Sequence, residues 1–214
     1  MSTGASLPKR GTYRHGDLRR ALLAEGMELA RGGGPEAVVL REATRRAGVA
    51  PSAAYRHFAD RRALLEAVCS AAQAALAVAM EEELAEVGRE GDPADCARAH
   101  LRAVGAGYLR FARAQPGLFR TAFSASDNLE SAASTDRAGE GGLTPFQLLA
   151  AALDELVEAG VLHRERRPGA EYLAWSAVHG LAMLLIDGPL RGLDGAQAGA
   201  VGRRLLDMVE RGLL

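Results

Sequence analysis

The stretch Leu40-Arg41-Glu42-Ala43-Thr44-Arg45-Arg46-Ala47-Gly48-Val49-Ala50-Pro51-Ser52-Ala53-Ala54-Tyr55-Arg56-His57-Phe58 decides how this chain is read. Two short helical segments flank Gly48, and the small residues Ala43 and Ala47 allow them to cross closely. Pro51 stands where the first turn of a helix tolerates proline. If Val49 and Ala54 pack inward, Ser52, Ala53, Tyr55, Arg56 and His57 face outward, and Phe58 belongs to the core. A short helix that exposes a hydroxyl, a phenol, a guanidinium and an imidazole, with five arginines around it, suits the major groove of DNA.

Working outward, apolar residues recur every three to four positions throughout, and no segment alternates at two. This predicts helices over about 17–31, 35–39, 41–47, 51–58, 61–87, 93–114, 116–123, 144–159, 169–186 and 197–213. Asp60 is the expected cap of the long segment 61–87, where Leu65, Val68, Ala72, Leu76, Ala79 and Met80 form one stripe. Residues 124–142 are aperiodic and rich in Ser, Ala, Gly and Asp, which predicts a mobile surface loop. The fold class is all-α: a basic arm (1–15), a three-helix reading module (16–60), a connecting helix (61–87) and a C-terminal helical bundle (88–214).

Charge is divided unequally. The 214 residues carry a formal net charge of −1. Residues 1–65 hold 12 Lys+Arg against 6 Asp+Glu, and the remainder 14 against 21. A basic N-terminal third joined to an acidic remainder is the footprint of a chain that meets a polyanion at one end only.

Beside these residues, the chain resembles the TetR family of bacterial transcriptional regulators. The resemblance rests on Arg41 and Glu42, Ala47-Gly48-Val49, Tyr55-Arg56-His57-Phe58, and the Arg61…Leu64-Leu65 that opens the long helix. It implies that Tyr55 meets phosphate or sugar and that His57 lies in the groove. Arg61 stands where the family has a phosphate-binding lysine, and Arg41 would meet the backbone or a base edge. Two positions depart from the pattern: Ala53 replaces a polar reader, and Val39 replaces a capping Ser or Thr. Base reading would then lean on Ser52, His57 and Arg41, or on a thymine methyl against Ala53. Lys9, Arg10, Tyr13 and Arg14 form either an arm that tracks the minor groove or phosphates, or a tail without a role.

In the C-terminal part, Trp175 to Ala182 resembles the Trp-x-x-x-His-Gly signature of one TetR subgroup. Trp175 and His179, spaced i, i+4, share a helix face. With Tyr172 and Met183, and with Phe119 and Phe123 opposite, they compose an apolar wall carrying few polar anchors, as a ligand cavity does. The same residues also fit a close-packed core whose histidine is simply satisfied. In the last helix Ala198, Val201, Leu205, Met208 and Val209 fall on one side. By resemblance, Leu184, Val201, Leu205, Met208 and Val209 would form a homodimer interface.

Enzymatic signatures are absent: there is no Gly-x-Ser-x-Gly, no His-Glu-x-x-His, and Gly32-Gly33-Gly34-Pro35 lacks the Lys-Ser/Thr of a phosphate cradle. Cys96 and His100 are an isolated i, i+4 pair, so neither a metal nor a cofactor is expected. Cys69 and Cys96 are expected reduced and buried, and the triplet Glu81-Glu82-Glu83 is expected on a solvated face. The uncharged stretch 173–186 is too short to span a bilayer, so no membrane span is expected, and the location is expected to be cytoplasmic. The expected partners are a palindromic double-stranded DNA operator, a second copy of the chain and a small organic effector that releases DNA. The alternatives are an activator, a ligand-independent regulator, or a helical carrier or enzyme.

Overall fold

The computed structural model describes residues 15–88, 90–125 and 134–214, and among them every regular element is helical. The arm residues Arg10 and Tyr13 lie outside the described residues, as do Lys9 and Arg14. The helices are α1 (His15–Gly33), α2 (Leu40–Arg46), α3 (Pro51–Ala54), α4 (Arg61–Ala85), α5 (Pro93–Ala114), α6 (Pro116–Ala122), α7 (Pro145–Glu158), α8 (Ala170–Ile186) and α9 (Gly195–Leu213).

Their starts are written locally. Asp60 accepts from Ala63 N, and Asp92 accepts from Ala94 N and Asp95 N. Thr144 with Gln147 and Asp194 with Gln197 close reciprocal capping boxes. Val39 caps α2 with no side-chain hydrogen bond, as its lack of a hydroxyl requires.

Helix α4 is the central element. It packs against α1, α5, α6 and α7, and Leu64, Val68, Ala72, Leu76, Ala77 and Met80 are buried along it. It is long and apolar enough to cross a membrane, but half of its apolar window is buried inside the bundle. The α4–α5 crossing is close because Gly107 has no side chain: a Cβ there would stand 2.6 Å from Met80 Cα and 2.7 Å from Ala79 O. Arg110 of α5 locks the crossing by donating to Ala79 O and Glu82 and pairing with Glu83.

Several sequence expectations need correction. Residues 35–39 form only a 3-10 turn, Pro35–Ala37, because Arg61 takes the carbonyls of Pro35 and Val38 and the chain turns extended at Val38. Helix α3 ends at Ala54, although His57 N and Phe58 N still bond back to Ala54 O. Residues 134–142 are anchored to α4: the Glu81 carboxylate accepts from Glu140 N (3.0 Å) and Gly141 N (3.1 Å), and Arg137 is buried. The triplet 81–83 keeps a solvent-facing side, with Glu82 exposed, and also works within the fold: Glu81 anchors this segment, and Glu82 and Glu83 hold Arg110. Cys69 is buried, but Cys96, near the start of α5, is only half-buried. His100 Nδ1 lies 2.6 Å from Glu155 Oε2 of α7 and so serves a helix contact.

Candidate functional site

The reading module is α1 to α3. Gly48, at φ +67, makes the bend that an L side chain would strain, and the next amide, Val49 N, bonds Thr44 O to close the α2–α3 corner. Leu18, Leu22, Leu40, Ala43, Ala54 and Phe58 are buried in the core beneath it. Arg19 of α1 stacks its guanidinium over the Phe58 ring at 5.3 Å.

This packing leaves Arg41, Ser52, Tyr55 and Arg56 exposed, with Tyr55 55% accessible despite its size. His57 is half-buried. Ala53 corrects the expectation of an outward side chain: it is half-buried and packs on the core, since on a four-residue helix the faces are not cleanly separated. Glu42 takes a two-pronged bond from Arg45 (2.8 and 2.7 Å) and one from Arg46 (3.0 Å). These arginines hold its carboxyl down at about 2. Two of the basic groups flanking α3 are thus already engaged within the chain.

Arg61 is engaged within the chain. Its Nε donates to Val38 O (2.9 Å), and its Nη2 donates to Pro35 O (2.8 Å) and Glu36 (3.3 Å). The side chain braces the first turn of α4 to the segment that leads into α2. A lysine could not hold two carbonyls and a carboxylate in this fork geometry.

A cavity of about 480 Å³ opens within the C-terminal bundle, in the range of small-molecule sites. Phe123, Tyr172 and Trp175 line it as expected, and α4 contributes Gln73 and Met80. Phe119, His179 and Met183 do not line it. Phe119 is fully buried behind the wall, T-shaped against Tyr108 at 5.3 Å, and Met183 packs on the core. His179 stands in the layer behind, with its ring 5.0 Å from Phe123.

Sequence reasoning missed Tyr108, Phe146 and Arg137. Phe146 completes the aromatic wall, 5.8 Å from Trp175. Tyr108, buried on α5, is the polar hub: Trp175 Nε1 donates to its hydroxyl (3.1 Å), which lies 2.8 Å from His179 Nδ1. An indole N–H only donates, so the tyrosine oxygen accepts from Trp175, and its own proton goes to His179 Nδ1 when the histidine carries its proton on Nε2. Burial lowers the His179 pKa and pushes the Tyr108 hydroxyl above the ordinary tyrosine range against the opposing Trp175 bond. The spacing of Trp175 and His179 was a readable signal; nothing in sequence placed a residue 67 positions away between them.

On α8 and α9, Leu184, Val201 and Met208 are exposed, whereas Leu205 and Val209 are half-buried and Val209 lines the cavity. Glu210 of α9 is buried between Arg98 (2.7 Å) and Arg102 (2.6 Å) of α5.

Comparison with known proteins agrees with this arrangement. Residues 22–68 match the family model of bacterial regulatory proteins of the tetR family, and residues 101–209 match that of the tetracyclin repressor-like C-terminal domain. No curated protein sequence matches the chain. Among solved structures, a protein of unknown function from a Rhodococcus species is similar, at 27% identity and a TM-score of 0.72, over 95% of this chain and 99% of that one. The TetR family regulator PfmR from Thermus thermophilus shares the fold at 24% identity and a TM-score of 0.56, over 90% and 98% of the two chains. A TetR-family regulator from Pectobacterium atrosepticum does so at 22% identity and a TM-score of 0.59, over 94% and 95%. With a helix-turn-helix at one end and a matched C-terminal domain over half its length, the chain belongs to the TetR family of DNA-binding transcriptional regulators and is not an enzyme.

Proposed function

We propose that this chain is a homodimeric repressor, released from a palindromic operator by a small organic effector that enters the C-terminal cavity. The observation that carries this reading is that α4 belongs to both sites. Its Gln73 and Met80 line the cavity, while its first residue, Arg61, braces the segment leading into α2. An effector that fits one position of α4 better than another biases the placement of the reading head. Release needs only this differential affinity, of the order of 1–3 kcal/mol.

In this reading residues 16–60 are the reading head, 61–87 the connecting helix and 88–214 the effector and dimerisation part. The exposed Arg41, Ser52, Tyr55 and Arg56 meet DNA, with His57 at the groove edge, and Arg61 acts by positioning them. Leu184, Val201 and Met208 supply the apolar face for a second copy, so that two reading heads address two half-sites.

DNA fragments retained by the protein from its source genome test the proposal. A two-fold symmetric footprint occupied by two chains is expected. Compounds that raise the melting temperature should also weaken operator binding by about 5–150-fold. An asymmetric site bound by one chain overturns the dimer. Stabilising compounds that leave DNA affinity unchanged overturn effector release.

A further inference from the structure

The polar equipment of the cavity is one-sided. Among the described residues, no Asp or Glu lines it, but two arginines do. Arg102 stands at one wall and is held by Glu210 (2.6 Å) and Asp207 (3.5 Å) of α9. Arg137 comes from the 3-10 turn Thr135–Arg137 and is only 8% exposed. A guanidinium stays charged at every physiological pH, so Arg137 brings a permanent positive charge to a wall whose other polar side chains are Arg102, Gln73, Ser176, Tyr108 and Tyr172, set among aromatic and aliphatic groups. Placing a charge there costs free energy, and an anionic ligand group adds to what offsets that cost. Around it, the rings of Phe123 and Phe146 stand with centroids 6.0 and 5.8 Å from that of Trp175, which leaves faces and edges for a flat apolar body.

We infer that the cavity selects a hydrophobic carboxylic acid in its ionised form, with the apolar body against Phe123, Phe146 and Trp175 and the carboxylate on Arg137. The inference rests on the reading of this cavity as the effector site and adds the chemical class of its ligand. A carboxylate is the planar, two-oxygen acceptor that a guanidinium fork matches. A neutral amide of the same shape keeps the apolar contacts and loses the charge-assisted bonds.

Trp175 is the chain's single tryptophan and stands in the wall, so its fluorescence reports occupancy directly. The full chain at pH 7.5 is titrated with two matched pairs, 2-naphthoate against 2-naphthamide and octanoate against octanamide. At least one acid should bind about tenfold or more tighter than its amide, the value of one or two charge-assisted hydrogen bonds. Arg137→Gln should erase that preference, and Arg137→Lys should retain most of it. Should Arg137→Gln fail to fold, the acid-to-amide ratio of the unaltered chain still decides. Acids and amides binding equally well overturn the anion preference and leave the cavity reading standing. Binding of none of the four overturns both. A preference that survives Arg137→Gln overturns the assignment to Arg137. Operator binding measured on the same samples separates the two readings: acid preference without DNA release supports the ligand class and counts against effector release.

Discussion

Tyr108→Phe removes one oxygen and nothing else, from a site where that oxygen serves two partners. The side chain is 5% exposed, and its hydroxyl accepts from Trp175 Nε1 and is hydrogen-bonded to His179 Nδ1. A net hydrogen bond is worth about 1 kcal/mol, and a buried group stripped of its partner costs about 1–3 kcal/mol. Trp175 and His179 are both half-buried, so water can partly replace the hydroxyl and the lower figures apply. The expected loss is about 2 kcal/mol, or roughly 4–8 °C in melting temperature for a chain of this size. Urea denaturation of both proteins measures it, and the m value should not change. The direction of the relay has its own test in the nitrogen-15 shifts of the His179 ring at pH 7.5. These should show a proton on Nε2 and a bare Nδ1. A loss below about 0.5 kcal/mol would mean that the hydroxyl is not structural. A proton found on Nδ1 would reverse the Tyr108–His179 bond, with the hydroxyl accepting from both rings.

Three further outcomes follow from the same geometry. Glu42→Gln should release Arg45 and Arg46, tighten non-specific DNA binding and steepen its salt dependence by up to about two phosphate contacts per protomer; an unchanged slope would show that these arginines stay away from DNA. Gly107→Ala should cost about 1–3 kcal/mol or more, because its Cβ would meet the backbone of α4 rather than a movable side chain, and a neutral thermal melt would contradict the close crossing. His179 is depressed by burial, so the unfolded chain takes up its proton before the folded one does. Its contribution is complete above about pH 6.5 and is lost as pH falls toward the folded value. Between pH 7.5 and 5.5 the unaltered chain should therefore lose more stability than His179→Asn, and parallel losses would place the sensitivity elsewhere.

The helices themselves were legible because their determinants are local. Asp60, Asp92, Thr144 and Asp194 cap within three residues, Gly48 bends within one, and the apolar period decides which face of each helix is buried. The reading module was legible for the same reason: its turn, its small crossing residues and its exposed Tyr55 and Arg56 lie within a single stretch of 19 residues, 40–58. The partners of long side chains were not. Arg61 reaches back 23 and 26 residues to the carbonyls of Val38 and Pro35, a brace that no local pattern announces. Tyr108 gave no signal of its own, because its neighbours Trp175 and Phe123 come from helices whose register is set only when α5, α6 and α8 pack together. Arg137 sat in an aperiodic segment that reads as surface loop, until Glu81 draws that segment onto α4. Periodicity and caps are properties of consecutive residues, and they determined the helices and the reading module of this protein. The cavity, its polar hub and its buried charge are properties of which helix faces meet, and only the tertiary packing decided them.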